Sequence, residues 1–339
     1  MEDLNLWLVG GGLAVGMVFG LIIQRHRFCM VAATGNYLLI NDNRQVLAFI
    51  AALAVAIAGT QLLEFTGTVA IADSAYRNSQ FDWFGASVGG LIFGIGAVLA
   101  GGCATRTLIR STEGSLHSFI ALLFFMLLAA SAQFSFLEDI RLGLTHSTAI
   151  DLTGDASLAV MLGLPQWLPA VVIVALMLGY LIKNWNPEAK RMIVAGIVIG
   201  LLVVCGWYIT GVLAQDEFDP IKPSAVTVSG PLARFGYILI SGKIPALSFA
   251  ISFVIGIAVA TLLFSLVSGR FKLEAPKAGA AKFAALGGSL MGIGGIMAYG
   301  CNVGQGLTGI STLSVESILA FSGMFIGTAA TVKWMERNS

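Results

Sequence analysis

Nine uninterrupted apolar stretches constrain this chain more than any other feature. They fall near residues 5–23, 46–65, 84–101, 115–135, 166–184, 192–213, 245–267, 283–299 and 315–333. About 20 apolar residues in a helix match the hydrocarbon thickness of a bilayer, so each stretch reads as a membrane span. Four shorter apolar pieces lie at 30–40, 103–111, 232–241 and 302–312. At about ten residues they would cover roughly 15 Å as helix, half the membrane. Such half-helices are tolerated only where protein or an aqueous cavity surrounds them. The expected fold is an all-α polytopic membrane protein, with about nine transmembrane helices and four short re-entrant half-helices in one membrane domain over 1–339.

Composition agrees: 57% of residues are apolar and only 11% charged, with a mean hydropathy of +0.88. A soluble domain carries about 25% charged residues. The alternating strands of a membrane β-barrel are missing from the sequence. Glu2 and Asp3 stand where a cleaved signal would have basic residues, so the first stretch reads as a retained span.

Lysine and arginine orient the spans, because cytoplasmic loops are enriched in both. With the N-terminus outside, the inside receives Arg25, Arg27, Arg44, Arg106, Arg110, Lys183, Lys190, Arg191, Arg270, Lys272, Lys277, Lys282, Lys333 and Arg337. Outside remain Arg77, Arg141, Lys222, Arg234 and Lys243, among acids such as Asp73, Asp82, Asp155, Asp216, Glu217 and Asp219. Fourteen of the 19 basic residues therefore favour N-out, C-in and an odd number of spans. The net charge of +1 is uninformative, and nothing points to nucleic acid.

The chain also repeats itself. GGLIFGIGAVLAGGC (89–103) aligns without gaps on GGSLMGIGGIMAYGC (287–301), and Cys103 falls on Cys301. A weaker match sets RFCMVAATG (27–35) against RFGYILISG (234–242), with Gly236 opposite Cys29. The halves then run over about 1–135 and 190–335, separated by a helix near 166–184. An odd separator inverts one half relative to the other, a common transporter architecture with its site near the midplane.

Of four cysteines, Cys205 lies mid-span without polar neighbours and reads as a small buried hydrophobe. Cys29, Cys103 and Cys301 each stand where a short segment begins, in RFCMVAATG, GGCATRT and YGCNVGQG. Helix N-termini favour anions and thiolates. Gly101, Gly102 and Gly300 would let a ligand approach the backbone, and Asn302, Gln305 and Thr308 would add neutral donors. Each of these residues also has a bland reading as packing. Metal binding fits poorly, because there is no CxxC pair and His26, His117 and His146 lack ligand spacing with the cysteines. No phosphate loop is present, so no ATPase is expected. Arg25, Arg27, Arg106 and Arg110 satisfy the positive-inside rule; alternatively they attract an anion or dock a soluble partner. A thiol is soft and polarisable, which suits an anion with a terminal sulfur better than a hard anion such as sulfate. A channel for a small neutral solute with structural cysteines, and a membrane thiol oxidoreductase, are the competing readings.

QRHRFC (24–29), AGGCATRTLIRSTEG (100–114) and GC-x-x-G-x-G (300–306) resemble the YeeE/YedE-type sulfur-compound transporters over essentially the whole chain. The resemblance implies a multi-pass importer of the bacterial inner membrane, not an enzyme, in its best-known members for thiosulfate. Cys29, Cys103 and Cys301 would be the family's three cysteines, passing the anion by S–H···S contacts without a covalent intermediate or a cofactor. A TusA-type sulfur-carrier protein would act at the cytoplasmic face; no carrier domain is expected to be fused after the last span. Arg106 departs from the small residue expected there, and other members are associated with different sulfur or selenium compounds.

Overall fold

The computed structural model describes residues 6–152, 154–215, 220–242, 247–276 and 279–338. Glu2, Asp3, Asp216, Glu217, Asp219, Lys243 and Lys277 of the charge reading lie outside the described residues, as does the side chain of His146.

The helices in chain order are α1 (Leu6–His26), α2 (Met30–Ile40), α3 (Arg44–Phe65), α4 (Gly90–Leu99), α5 (Ala104–Thr112), α6 (Leu116–Phe134) and α7 (Glu138–Thr148). They continue with α8 (Leu158–Leu162), α9 (Trp167–Lys183), α10 (Lys190–Tyr208), α11 (Ser229–Ser241), α12 (Phe249–Val267), α13 (Ala280–Met297) and α14 (Val315–Asn338). Wide π-helical segments precede α4 at Gly85–Gly89, extend α10 at Ile209–Leu213, and replace a helix at Gly304–Gly309. Serine side chains start several helices: Ser115 Oγ accepts from the Ser118 N–H ahead of α6, and Ser248 Oγ from the Ile251 N–H ahead of α12.

Among the described residues, eight helical segments are long and apolar enough to cross a membrane. The ninth expected span is α9, apolar but of 17 residues, at the short limit for crossing. The short pieces at 30–40, 103–111 and 232–241 are α2, α5 and α11. The piece at 302–312 is corrected: its glycines Gly304, Gly306 and Gly309 give it a π-helical path in place of an α-helix. The apolar pattern carried no sign of the amphipathic α7, or of the two-residue strands β1 (Gln80–Phe81) and β2 (Ile150–Asp151) that pair antiparallel.

Small residues let the helix backbones meet. α1 packs on α12 and α3 on α10; α6 packs on α13 and α14 on α4; α4 crosses α13, α11 lies on α6, and α2 on α14. At the α4–α13 crossing the aligned glycines meet reciprocally. Gly96 lies against the Gly287 carbonyl, and Gly294 against that of Gly89.

Two sequence readings change here. Gly236 does not stand opposite Cys29: it lies inside α11 with the Met126 carbonyl of α6 against it, which leaves no room for a thiol. Cys205 is not buried but faces outward from the bundle on α10. Of the six tryptophans, Trp207 is fully buried and donates to Ser311 Oγ (3.2 Å), whereas the others are exposed.

Candidate functional site

Two matching turns deliver two of the three cysteines. After α4, Gly101 adopts φ +76°, its N–H bonds the Val98 carbonyl (3.0 Å), and the Gly102 N–H bonds that of Ala97 (2.8 Å). This paired helix-ending bond reverses the chain and leaves Cys103 as the N-cap of α5. After α13, Tyr299 takes φ +53°, its N–H bonds Ile296 (3.1 Å), and the Gly300 N–H bonds Gly295 (2.8 Å). Cys301 follows, one turn ahead of the π-helical segment. A non-glycine residue in the left-handed region costs about 1–2 kcal/mol. Arg27, at φ +52°, makes the corresponding bend between α1 and Cys29, the N-cap of α2.

These bends bring Cys29 and Cys103 together. Cys29 Sγ donates to Cys103 Sγ at 3.7 Å, and both side chains are buried. Both thiols stand at helix N-caps, where the first-turn N–H groups of α2 and α5 have no partner within their own helix. Cys301 is 1% exposed and within electrostatic reach of Cys103 and Tyr76, whose hydroxyl pairs with Thr227. All three cysteines are buried, whereas Cys205 is exposed.

A cavity of about 680 Å³ opens at the end of α1 and along α5. Arg25, Arg27, Arg106 and Arg110 all line it, joined by Arg270 and Lys272 against only Glu113 and Glu274. The last four come from two segments that pair in space. The Lys272 N–H donates to the Glu113 carbonyl, and the Leu116 N–H to that of Glu274, both at 3.0 Å. Sequence reasoning missed this contribution because the loop after α12 reaches α5 only through that pairing. Arg106 is the cation nearest the thiols: it reaches Cys29 electrostatically and donates to the Arg27 carbonyl at 3.5 Å.

The glycines play a different part from the one expected. A methyl group on Gly102 would sit 2.8 Å from Arg106 Cδ, and one on Gly300 would sit 2.8 Å from Gln305 Cγ. The following turn, and not open space, occupies both faces. Gln305 is itself a strut: its Nε2 donates to the Ala298 carbonyl (2.6 Å), and Ser317 Oγ donates to its Oε1 (2.5 Å). Thr308 donates to the Val226 carbonyl at 2.7 Å. Asn302 Oδ1 and Thr105 Oγ1, one and two residues beyond Cys301 and Cys103, are buried without a hydrogen-bond partner. Among the described residues no group of three or more His, Cys, Asp or Glu could hold a metal ion.

A family model described as sulphur transport matches residues 25–330. The chain belongs to the sulphur-transport family. A thiosulfate transporter, TsuA, of Spirochaeta thermophila is 29% identical over 97% of this chain and 99% of its own length. TsuA of Escherichia coli K12 is 26% identical over 97% of this chain and 94% of its own. A shorter match, 32% identical over 34% of this chain and 27% of the relative, is to the probable transporter YedE of E. coli. This sulphur-transport family member is a multi-pass membrane transporter and not an enzyme, which sets aside the oxidoreductase reading. In it, the buried Cys29–Cys103 pair lies close in sequence to Arg27 and Arg106, which line a cationic cavity.

Proposed function

We propose that the chain imports a small sulfur-bearing anion, thiosulfate, passing it from Cys301 to Cys103 and Cys29 and out through the cationic vestibule. The observation that carries this reading is the 3.7 Å approach of two buried thiols at the N-termini of two short helices. Each thiol is a weak S–H donor and a polarisable surface for a terminal sulfur, so one contact can form as the last one breaks. Convergent N–H groups supply positive potential without a fixed charge that would trap the anion. The six vestibule cations draw it onward. The thiosulfate transporters that match along 97% of this chain support that substrate.

The repeat supports the mechanism. We take α1–α6 and α10–α14 as inverted halves with α9 between them. The exchanged pairs α1–α12 and α3–α10, and likewise α6–α13 and α14–α4, are what such symmetry requires. In this reading the vestibule faces the cytoplasm of a bacterial cell, the N-terminus lies outside the inner membrane, and a TusA-type carrier collects the anion from Arg25, Arg27, Arg106 and Arg110.

Purified protein in liposomes should accumulate ³⁵S-thiosulfate, with excess unlabelled thiosulfate competing and sulfate failing to compete. Equal competition by sulfate would remove the role assigned to the terminal sulfur.

A further inference from the structure

We propose that the cationic vestibule is a binding site for a free divalent oxyanion of the sulfate class, and that an oxyanion held there slows the uptake of thiosulfate. The inference rests on the transport reading above and adds a brake to it.

Three segments tied to one another build the vestibule. The end of α1 brings Arg25 and Arg27, α5 brings Arg106 and Arg110, and the loop after α12 brings Arg270 and Lys272. That loop is pinned on both sides of its cations. The Arg270 N–H donates to the Ser265 carbonyl at 2.9 Å, and the Glu274 N–H to that of Gly114 at 3.0 Å. Gly114 stands at φ +99°, with the Lys272 carbonyl packed where a Cβ would lie, so the loop runs close against the end of α5. Gln24 joins the same parts: its Nε2 donates to Glu113 Oε1 at 3.1 Å and to Ser265 Oγ at 2.8 Å. Backbone pairing thus sets Arg270 and Lys272 on the same cavity as the arginines of α1 and α5.

Two properties of the cavity point to a hard oxyanion. The first is its charge chemistry. Among the described residues, five of the six cations that line it are arginines, whose planar N–H forks match pairs of oxygens on a tetrahedral anion. A cleft lined mainly by one sign of charge also concentrates counter-ions. Arg25, Arg27, Arg270 and Lys272 are exposed and Arg106 and Arg110 half-buried, so a solute in the aqueous phase can reach them. The second property is size. A water molecule occupies about 30 Å³ of liquid. A cavity of about 680 Å³ therefore has room for an oxyanion with hydration water beside a passing substrate.

The thiols and the vestibule then differ in what they read. Thiols favour a terminal sulfur, whereas guanidinium groups read oxygen atoms and charge, which sulfate and thiosulfate both present. Sulfate is refused at the cysteines and accepted in the vestibule. Seated there, it neutralises the field that draws thiosulfate onward and lowers the rate. The inhibition has a side: sulfate acts from the vestibule face and not from the opposite one.

The test uses phosphatidylcholine liposomes, free of anionic headgroups, holding the protein in one verified orientation with the vestibule inside. Initial ³⁵S-thiosulfate uptake is compared with sulfate or gluconate in the lumen at equal ionic strength, so that screening is matched. Luminal sulfate should slow uptake several-fold, and the same sulfate outside should leave it unchanged. In the double variant Arg270→Gln, Lys272→Gln the two luminal anions should give similar rates. The ratio is the readout, because a weaker vestibule also lowers uptake itself. Calorimetric titration of sulfate into detergent-solubilised protein should show binding that the double variant loses. Equal wild-type rates with luminal sulfate and gluconate, or no sulfate binding, would overturn the site while leaving the transport reading intact. Undiminished inhibition in the double variant, or inhibition that appears only once phosphatidylglycerol is added to the membrane, would overturn it equally. If the wild type takes up no thiosulfate, both readings fall.

Discussion

Gly96→Val is expected to abolish accumulation of folded protein in the membrane. A Cβ at Gly96 would lie 2.6 Å from the Met291 nitrogen and 2.7 Å from the Gly287 carbonyl oxygen. Both are backbone atoms of α13, so no side chain can swing aside, and valine adds two further methyl groups. Ordinary overpacking costs about 1–3 kcal/mol. Here the alternative to strain is separating α4 from α13, and those helices end in the turns that deliver Cys103 and Cys301. Gly179→Ala in α9 is the control, because nothing lies within 4 Å of a Cβ there. Size-exclusion of a fluorescent fusion should show a monodisperse peak for the control and none for Gly96→Val. A normal peak from Gly96→Val would mean that the crossing tolerates separation.

Arg77→Met should destabilise the protein by about 3–5 kcal/mol, the range for removing one partner of a buried ion pair. The Arg77 side chain is 0% exposed. Its Nη1 and Nη2 grip Glu64 at 2.5 and 2.9 Å, and Nη1 reaches Asp155 at 3.3 Å. Nε and Nη2 both donate to the Thr312 carbonyl, at 3.0 and 2.6 Å. One side chain therefore joins α3, the loop carrying Asp155 and the end of the Cys301 segment. Methionine replaces the packed stem but strands the Glu64 carboxylate. Adding Glu64→Gln to Arg77→Met should restore part of the loss, since the buried charge is gone. Thermal unfolding in detergent reads both variants. Equal melting of Arg77→Met and wild type would refute the clamp.

The spans were legible because membrane thickness sets their length, and the half-length pieces because they fall so far short of it. Cys103 and Cys301 stood out through the glycines around them, although Gly102 and Gly300 turn out to be filled by Arg106 and Gln305. The approach of Cys103 to Cys29 could not be read from sequence, because it depends on the Arg27 bend and on helices far apart in the chain. The four arginines were visible as charges, but their convergence with Arg270 and Lys272 rests on the pairing of the loop after α12 with residues 113–116. Cys205 misled because an apolar helix shows no periodicity separating its inner and outer faces in lipid. Gly236 misled because a three-residue match outweighed the position of the helix start. Asp82 was counted only as charge and Glu316 drew no reading, since nothing in either neighbourhood reveals that they line one cavity.

The central claim is that the anion travels on sulfur. Cys103→Ser keeps a small hydrogen-bonding side chain at the N-cap of α5, where serine is an excellent cap, and removes only the polarisable sulfur. Initial rates of ³⁵S-thiosulfate uptake into liposomes, normalised to correctly inserted protein, should fall to background for Cys103→Ser and for Cys301→Ala, while Cys205→Ser stays at the wild-type rate. Wild-type uptake by Cys103→Ser would contradict the account.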